Sequence, residues 1–560
     1  MTTFPERIKA LHSRDPNRIA ITLQFSTGSD LSISLDQLLR GSGSYAESLS
    51  KAGIQPGEVV ILILQHGEEL VYAYWGSILH GAIPSIMPFL TEKLSPERYR
   101  ADLSSLISVS KPSAIITYPE FASEVRSALH EGDSVREVIL TDLVDKKSIL
   151  DFDALSGFQR KPQDVVLLQH SSGTTGLQKG VALSHQAIFN QLDAYGKSLV
   201  LNEKDVIVSW LPLYHDMGLI AGFVMPVLSG VHLVLMSPFD WVRGPYKLLL
   251  SVSKYRGTLS WLPNFAYNFS AQKIRDRHIE GVDLSSWRGV INCSEPVRSE
   301  SHEAFYERFK SYGLRREALL TSYAMAENVF GVTQSPISRE PTVLEVDREC
   351  FMTERVARLP ENGRSSMKIM SSGKPLENTN VKVLDDNKNE VPERVIGEIA
   401  LQSDCMLTGY YHRDDLTQSA FSNGWYMTGD YGFMVDGEIF VSGRKKDMII
   451  VGGRNVYPQD LESLTYEITG VHAGRSVAFG IFDEYQGTEE VVIIAEVDSE
   501  DSEEQRKIAD SIRQHVTKNS AIALRHVKVV GPKWVIKTSS GKTARLANKE
   551  KFLTELELQK

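Results

Sequence analysis

The chain has 560 residues, a length that predicts about three to five structural units at roughly 100 to 200 residues per domain and excludes a small binding module. Hydrophobic residues make up 42% of the chain and charged residues 24%, which is typical of globular enzymes and excludes disordered and fibrous proteins. The net charge of −10 offers no overall positive field to nucleic acid or anionic lipid. The three cysteines, Cys293, Cys350 and Cys405, lack the spacing of a zinc site or a disulfide framework, so we expect a reducing, cytoplasmic environment.

Short apolar runs alternate with helical patterns through the first two thirds of the chain. This alternation predicts α/β layers with largely buried sheets. From residue 381 onwards the pattern changes to short strands broken by turn residues, which predicts a β-rich subdomain, and a further α/β stretch follows. The strands predicted in the first two thirds lie at 59–64, 114–117, 138–141, 165–169, 181–184, 206–210, 231–236 and 289–292.

One uncharged stretch, at 218–236, is nearly long enough to span a membrane. Pro226, Ser229 and Gly230 interrupt it, so it predicts a buried helix, a turn and a strand instead. A domain boundary is predicted near 443–447, where no hydrophobic face continues along the chain. The predicted organisation is a large N-terminal part at 1–443, which includes the β-rich subdomain at about 375–443, and a C-terminal domain at 448–560.

The most informative segment is the loop His170-Ser-Ser-Gly-Thr-Thr-Gly-Leu-Gln-Lys179, which lies between two predicted strands. Its backbone N–H groups, its hydroxyl groups and the Lys179 ammonium form an anion cradle suited to a polyphosphate. It is not a Walker A loop, in which the lysine directly follows a glycine and a helix comes next. For this loop taken alone, a solvent-exposed turn is the alternative.

Four further regions carry polar groups in a fixed order. Ser294-Glu-Pro296 follows a predicted strand, at the edge where open α/β sheets bind ligands. The segment 321–327 combines an aromatic plane for a base with a carboxylate for a divalent cation. Asp430 follows a tight turn, as do carboxylates that bind a ribose, and the segments 443–447 and 537–542 supply cations that offset charge in nucleotidyl transfer. Taken singly, each is more often a surface turn.

Together, in this order and spacing, the motifs resemble the adenylate-forming superfamily of acyl-CoA synthetases, peptide-synthetase adenylation domains and luciferases, from about residue 10 to residue 550. Within it, the chain is most similar to the fatty acyl-AMP ligases. This likeness rests on Ser209-Trp-Leu-Pro-Leu-Tyr-His-Asp-Met-Gly-Leu219, Pro263-Asn-Phe-Ala-Tyr267, Cys293-Ser-Glu-Pro-Val-Arg298 and Gly453-Arg-Asn-Val-Tyr-Pro-Gln-Asp460. It implies an α/β fold with two layered α/β subdomains, a β-rich subdomain and a small mobile C-terminal α+β domain.

The resemblance implies a two-step reaction. A carboxylic acid, expected to be a fatty acid, attacks the α-phosphate of ATP to give acyl-AMP and pyrophosphate, and the acyl group then passes to a thiol. By the same resemblance, Lys542 bridges the carboxylate and the α-phosphate, Glu327 holds Mg²⁺, and Lys446 is the hinge residue within 444–447. A surface lysine in a Ser/Gly turn is the alternative for Lys542. The implied nucleotide-binding residues are Ser172, Thr174, Thr175, Gly176, Lys179, Ser294, Glu295, Pro296, Ser322, Tyr323, Asp430 and Arg444.

The acyl site is implied by the resemblance too. His215 occupies the place of an aspartate that binds the substrate ammonium in amino-acid-activating domains, so an α-amino acid is a poor candidate. Because Asp216 adjoins it, a β- or other amino acid stays open as an alternative. His215 is either a catalytic residue or a hydrogen-bonded wall residue. The pocket is expected to be lined by Trp210, Trp261, Asn264 and Phe265, and a Trp261 side chain that faced an acyl tunnel would shorten it.

Two positions depart from the family pattern. One is Trp261-Leu262, where relatives tend to have small residues. Ala324 replaces the usual glycine of the adenine motif, and its methyl group would force φ below zero or crowd the nucleotide.

The predicted acceptor is the phosphopantetheine arm of an acyl carrier protein. The long stretch after Glu327 matches an insertion of the fatty acyl-AMP ligases, at about 338–370, that is thought to disfavour coenzyme A. Its apolar residues are numerous enough to pack against the large domain: Val343, Leu344, Val346, Phe351, Met352, Val356 and Leu359. For this segment, a surface excursion with no mechanistic role is the alternative. The alternatives are an acyl-CoA ligase that uses free coenzyme A and a non-catalytic homologue that binds acyl-adenylate. We expect no nucleic-acid partner and no membrane span.

Overall fold

The computed structural model describes residues 2–90, 96–146, 151–171, 179–361, 363–451, 454–483, 488–520, 522–538 and 541–558. Its α-helices cover Phe4–Arg14, Leu35–Lys51, Glu68–His80, Pro96–Ser110, Ala122–Ser127, His185–Ser198, Met225–Ser229, Pro238–Arg243, Tyr246–Tyr255, Asn264–Lys273, Ser299–Phe309, Arg348–Thr353, Asp414–Ser419, Pro458–Tyr466, Ser502–Ser520 and Arg545–Leu558.

The largest sheet contains nine strands over these residues, and the six at its centre run parallel. Their carboxyl ends therefore meet at one edge, where open α/β sheets place ligands. From one side to the other, the strands are Lys374–Pro375, Gly331–Gln334, Leu319–Ala324, Gly289–Asn292, Leu259–Leu262, Val206–Ser209, His232–Met236, Ile19–Gln24 and Leu31–Ser34.

A second parallel sheet has the order Ile83–Ile86, Val59–Ile63, Ala114–Thr117 and Glu137–Leu140 over the described chain. Every residue of Val59–Ile63 is buried, as expected for a strand with helices on both faces of its sheet. One hydrophobic core extends under both parallel sheets.

Antiparallel strands dominate the later part of the chain. One sheet contains Thr379–Leu384, Gly397–Ser403, Phe421–Ser422, Trp425–Val435 and Glu438–Arg444, and another contains Val165–Ser171, Lys179–Ser184 and Gly409–Tyr410. Val343–Asp347 pairs with Ser366–Met370, Ile449–Val451 pairs with Arg454–Val456, and the last sheet contains Val471–Asp483, Thr488–Val497 and Leu524–Val530. These mixed layers confirm the predicted α/β fold class.

The uncharged stretch at 218–236 is buried, but its first part is a π-helix, Met217–Val224, rather than an α-helix. The helix Met225–Ser229 follows and ends at Gly230, whose φ of +69° suits glycine, before the strand His232–Met236. The wide π turn brings the backbone close to its neighbours: a Cβ at Gly218 would lie 2.2 Å from the carbonyl oxygen of Pro212. Across the described residues, none of the helices combines the length and the apolar character needed to cross a membrane.

Candidate active site

Lys542 is held by two hydrogen bonds to Thr538, four residues earlier in the chain. Its N–H donates to Oγ1 of Thr538 at 3.1 Å, and the Thr538 N–H donates to the Lys542 carbonyl oxygen at 2.7 Å. Removal from water lowers the pKa of the Lys542 ammonium, whereas the carboxylates of Asp216 and Glu295 act in the opposite direction. The structure therefore brings the predicted catalytic lysine close to two carboxylates that follow strands of the large parallel sheet.

His215 and Asp216 form a pair after the strand Val206–Ser209. Nδ1 of His215 lies 2.6 Å from Oδ1 of Asp216, and both side chains are mostly buried. Burial by itself would raise the pKa of the Asp216 carboxyl, but His215, Lys542 and the Met217 N–H outweigh it and bring this pKa to about 2. Asp216 is thus an anion at neutral pH that fixes the His215 ring. A catalytic role for His215 stays a prediction.

Ser294 and Glu295 form a strained turn after the strand Gly289–Asn292. The φ of Ser294 is +71°, a left-handed conformation that residues other than glycine seldom adopt. Oε2 of Glu295 accepts the Phe265 N–H at 2.9 Å, which ties the turn to the helix Asn264–Lys273. Burial raises the pKa of the Glu295 carboxyl, although the Phe265 N–H and Lys542 counteract this.

The same turn is braced from its other side. Oδ1 of Asn264 accepts from Nδ2 of Asn292 at 3.0 Å and from the Arg298 N–H at 3.2 Å. Asn264, predicted to line the acyl pocket, is therefore committed to holding this turn. Cys293 is buried, with its Sγ 3.8 Å from Oγ of Ser294, whereas Pro296 is exposed.

The predicted ribose pair lies on adjacent antiparallel strands, where Asp430 is directly opposite Arg444. Nε of Arg444 lies 3.5 Å from Oδ1 of Asp430, and this carboxylate raises the pKa of the guanidinium. The Tyr323 hydroxyl donates to Oδ2 of Asp430 at 2.6 Å. Ser322 donates its hydroxyl to the Thr333 carbonyl oxygen at 2.7 Å, so it supports the strand that carries Tyr323.

Ala324 ends the strand Leu319–Ala324 and is opposite Gly331 at an irregularity of the pairing. Extended strand backbone has a negative φ. Ala324 accordingly adopts a φ below zero, as expected for an alanine, and crowding of the nucleotide stays a prediction.

Glu327 and Lys179 converge on Tyr410. The Tyr410 hydroxyl donates to Oε1 of Glu327 at 2.8 Å, and Nζ of Lys179 lies 5.0 Å from the centroid of the Tyr410 ring. Sequence reasoning missed Tyr410, although the dipeptide Gly409-Tyr410 inside a short strand was visible. Ser172, Thr174, Thr175 and Gly176, predicted for the same phosphate site, lie outside the described residues.

A single carboxylate such as Glu327 suits Mg²⁺, which usually binds one or two protein carboxylates and takes its other ligands from substrate phosphates and water. Among the described residues, no group of three or more His, Cys, Asp or Glu side chains forms a metal cage of its own. The donor set therefore fits a magnesium ion that arrives with a nucleotide.

An aromatic cluster lies beside the Phe265 turn. The rings of Trp210 and Trp241 stack with centroids 3.7 Å apart and planes 5° apart, and Phe265 packs edge-on against both. The Cε1 atom of Phe265 is 3.8 Å from where a Cβ on Gly541 would stand, next to Lys542. Trp241 was not predicted, because its helix carries no motif residue.

Trp261 is buried on the strand Leu259–Leu262. Its Nε1 donates to the Tyr195 hydroxyl at 2.8 Å, and that hydroxyl donates to Oε1 of Gln334 at 2.9 Å. The indole is thus fixed by a polar network inside the fold. Its predicted effect on an acyl tunnel remains a prediction.

Lys446 lies between two charged residues that form ion pairs with different regions of the protein. Nζ of Lys445 is 3.1 Å from Oε2 of Glu398 in the β-rich sheet, whereas Oδ2 of Asp447 is 3.2 Å from Arg545 in the last helix. Burial lowers the pKa of the Lys446 ammonium, and the nearby Arg444 adds to the effect. The chain is therefore anchored to one region just before Lys446 and to another just after it.

The sheets, the lysine turn and the paired Asp430 and Arg444 define an adenylate-forming enzyme. A family model of AMP-binding enzymes matches residues 9–411, and the chain belongs to this family.

Two relatives and one solved structure specify the likeness. The chain is 29% identical over 538 residues to the long-chain-fatty-acid–AMP ligase FadD26 of Mycobacterium bovis, covering 91% of this chain and 89% of the relative. It is 29% identical over 541 residues to the medium-chain-fatty-acid–[acyl-carrier-protein] ligase JamA of Moorena producens, covering 93% and 90%. A structure from a study of fatty acyl-adenylate ligases of E. coli and L. pneumophila superimposes with a TM-score of 0.90 at 25% identity, covering 100% of this chain and 99% of that one. The resemblance to fatty acyl-AMP ligases is thereby confirmed.

Proposed function

We propose that the protein activates a fatty acid with ATP and transfers the acyl group to the phosphopantetheine thiol of an acyl carrier protein. In the first step, a carboxylate oxygen attacks the α-phosphorus, and the bond to the leaving pyrophosphate breaks. In the second step, the acceptor sulfur attacks the acyl carbon, its proton is lost, and AMP leaves. The names of the relatives, an AMP ligase and an acyl-carrier-protein ligase, support both steps.

One observation supports the first step above all. The Lys542 ammonium interacts electrostatically with Asp216 and Glu295 at the strand ends and also with Arg444 of the ribose pair. These interactions, together with the Phe265 ring 3.8 Å from where a Cβ on Gly541 would stand, support one site shared by the lysine, the two carboxylates and the ribose pair. A cation there offsets the charge that develops between carboxylate and α-phosphate, and Mg²⁺ bound through Glu327 would neutralise the pyrophosphate oxygens.

The C-terminal part is docked in this arrangement by a second contact. Arg298 donates to the Gln459 carbonyl oxygen at 3.0 Å and to Oδ1 of Asp460 at 3.1 Å, and both acceptors lie on the helix Pro458–Tyr466. We assign this arrangement to adenylation and propose that residues 448–560 rotate about Lys446 for transfer. Lys445 is paired with Glu398 in the β-rich sheet and Asp447 with Arg545 in the last helix, which supports a pivot between the two residues.

The insertion supports a carrier protein as the acceptor. Val346 and Phe351 are buried in one cluster with Phe433 and Tyr457, whereas Met352 belongs to the hydrophobic core that contains Ile449 and Leu461. Val343 and Leu359 are exposed. Because the insertion touches both sides of the proposed pivot, it restrains the rotation, which opposes entry of the bulky adenosine end of coenzyme A. A carrier protein inserts only its slim arm.

The test is a mass-spectrometric screen of carboxylic acids of graded chain length with ATP and magnesium. Coenzyme A and a phosphopantetheinylated carrier protein are offered in parallel. We expect acyl-AMP with the preferred acids and acyl transfer to the carrier protein. Transfer to coenzyme A at a rate comparable with adenylation would indicate an acyl-CoA ligase, and the absence of acyl-AMP from every acid would indicate a non-catalytic homologue.

A further inference from the structure

Tyr410 stands between the two groups predicted to meet the magnesium pyrophosphate part of ATP. Its hydroxyl donates to Oε1 of Glu327, and its ring faces the Lys179 ammonium. A cation over the face of a tyrosine ring is attracted by the negative potential of the π system. One buried side chain therefore contacts both the carboxylate and the lysine.

The backbone around Tyr410 is fixed to both partners. Gly409 and Tyr410 pair with Ala182 and Val181, on the strand that begins at Lys179. The Leu407 N–H donates to the Glu327 carbonyl oxygen at 2.8 Å. The short segment 407–410 thus ties the glutamate turn to the lysine strand.

A second tyrosine sets the direction of the hydrogen bonds. The hydroxyl oxygens of Tyr410 and Tyr426 are 3.0 Å apart. Because the single hydroxyl proton of Tyr410 is donated to Glu327, Tyr426 must be the donor to Tyr410. The chain from Tyr426 through Tyr410 to Glu327 is a directed relay in which each bond polarises the next and orients the carboxylate.

We propose that Tyr410 is a positioning residue that couples the magnesium carboxylate to the pyrophosphate lysine. Its hydroxyl holds Glu327 in the orientation that meets the cation, and its ring holds Lys179 over the phosphates. The inference rests on the proposed function, since both groups are assigned to the ATP site. It adds that the two groups are aligned by one residue rather than independently.

The two contacts of Tyr410 are separable by substitution. Tyr410→Phe keeps the ring and removes the hydroxyl, so it should weaken only the magnesium-dependent part of nucleotide binding. By calorimetry on the full chain, we expect the Mg²⁺ concentration that gives half-maximal ATP affinity to rise about tenfold, while the affinity for metal-free AMP stays within about twofold. Tyr410→Leu removes the ring as well, and the affinity for magnesium pyrophosphate should fall a further several-fold.

Tyr411→Phe is the matched control. Tyr411 is the next residue, and its side chain packs near Gly180, 3.5 Å from where a Cβ on that glycine would stand. The Tyr411→Phe substitution should leave the Mg²⁺ dependence of ATP binding unchanged. A double-mutant cycle with Glu327→Gln distinguishes positioning of the carboxylate from a general loss of stability. Once the carboxylate is removed, Tyr410→Phe should have no further effect on the Mg²⁺ dependence of ATP binding.

The proposal is overturned if Tyr410→Phe binds ATP with the wild-type Mg²⁺ dependence, if Tyr411→Phe shifts it equally, or if the effects of Tyr410→Phe and Glu327→Gln simply add. If Tyr410→Phe unfolds at the working temperature, the binding of Tyr410→Leu and of the Tyr410→Phe/Glu327→Gln cycle is measured at a lower temperature and compared with the wild type there. Failure of the wild-type chain to bind ATP would instead contradict the proposed function itself.

Discussion

The two sides of the active site are held together in different ways. Asp430, Arg444 and Tyr323 are placed by backbone pairing within sheets, so their geometry is set when the strands form. Lys542 is placed by its hydrogen bonds with Thr538 and by polar contacts such as that between Arg298 and Asp460, which involve single side chains. A nucleotide site built from strands is preorganised, whereas a lysine on a separately docked segment suits the proposed withdrawal of that segment between half-reactions.

The sharpest test of this contrast is Lys542→Ala. The lysine is expected to act mainly in the transition state, so the adenylation kcat should fall by at least about a hundredfold, or roughly 2.7 kcal/mol. ATP affinity, set by the strand-borne residues, should remain near that of the wild type. Pyrophosphate exchange and calorimetry measure the two quantities, and an adenylation rate within a few-fold of wild type would falsify the assignment.

The pivot is tested by Lys446→Pro. Proline fixes φ near −65° and removes the N–H donor, so a backbone that changes its dihedrals at this residue loses one of its two states. Adenylation should survive, and transfer from preformed acyl-AMP should fall by at least about thirtyfold, or roughly 2 kcal/mol. Single-turnover assays of the two steps separate them. Equal losses in a folded variant would move the pivot elsewhere.

The docking contact is tested by Arg298→Ala. Removing a hydrogen-bonded charge that is mostly buried should cost about 1.4 kcal/mol of the docked state, so adenylation should slow about tenfold while transfer from supplied acyl-AMP does not. Arg298→Lys should recover part of the rate. Arg308→Ala is the control, because Arg308 lies on the helix Ser299–Phe309, which begins directly after Arg298, but is paired with Asp276. Slowing of both steps alike would reveal a general loss of structure.

The insertion is tested by Met352→Ser, which places a hydroxyl in the hydrophobic core of the C-terminal part. Loosening this contact should raise acyl-CoA formation about fivefold relative to acyl transfer to the carrier protein, with a lower Tm. Leu359→Ser, at an exposed position of the same segment, should change neither quantity. An unchanged ratio of acceptors in the Met352 variant would separate the insertion from acceptor choice.

The smallest effect is expected on the strand-built side. Tyr323→Phe removes the hydroxyl that orients Asp430, and the KM for ATP should rise about threefold with little change in kcat. Tyr267→Phe removes another buried hydroxyl, which donates to the Val290 carbonyl oxygen, and serves as the control. A fall in kcat alone would show that Tyr323 acts in the chemical step.

The sequence was sufficient to predict elements whose pattern is local. The α/β layers, the strands flanking the phosphate loop and the turn at Gly230 follow from hydrophobic runs and turn residues. The family motifs also assigned Lys542 and Glu295 to the same ATP site, although the two are far apart in the chain. That inference rested on the resemblance of the motifs to the adenylate-forming family and not on the periodicity of the sequence.

Other features depend on partners that no local pattern identifies. Tyr410 meets Glu327 across 83 positions of the chain, and Trp261 meets Tyr195 across 66. The stacking of Trp210 on Trp241 depends on how a short helix packs. The π-helix at 217–224 escaped prediction because its apolar composition fits an α-helix equally well. The close approach of Gly218 and Gly222 to their neighbours depends on tertiary packing, which no local pattern identifies.

The buried thiol of Cys293, beside Ser294, bears on whether the enzyme can react with its own product. An acyl-adenylate is a mixed anhydride that acylates any thiolate within reach. Burial raises the pKa of Cys293 to about 12, and the nearby Asp216 carboxylate adds to this, so the thiol remains protonated at physiological pH. A buried, protonated thiol is a poor nucleophile, so this sulfur is protected from acylation and does not compete with the thiol of an external acceptor.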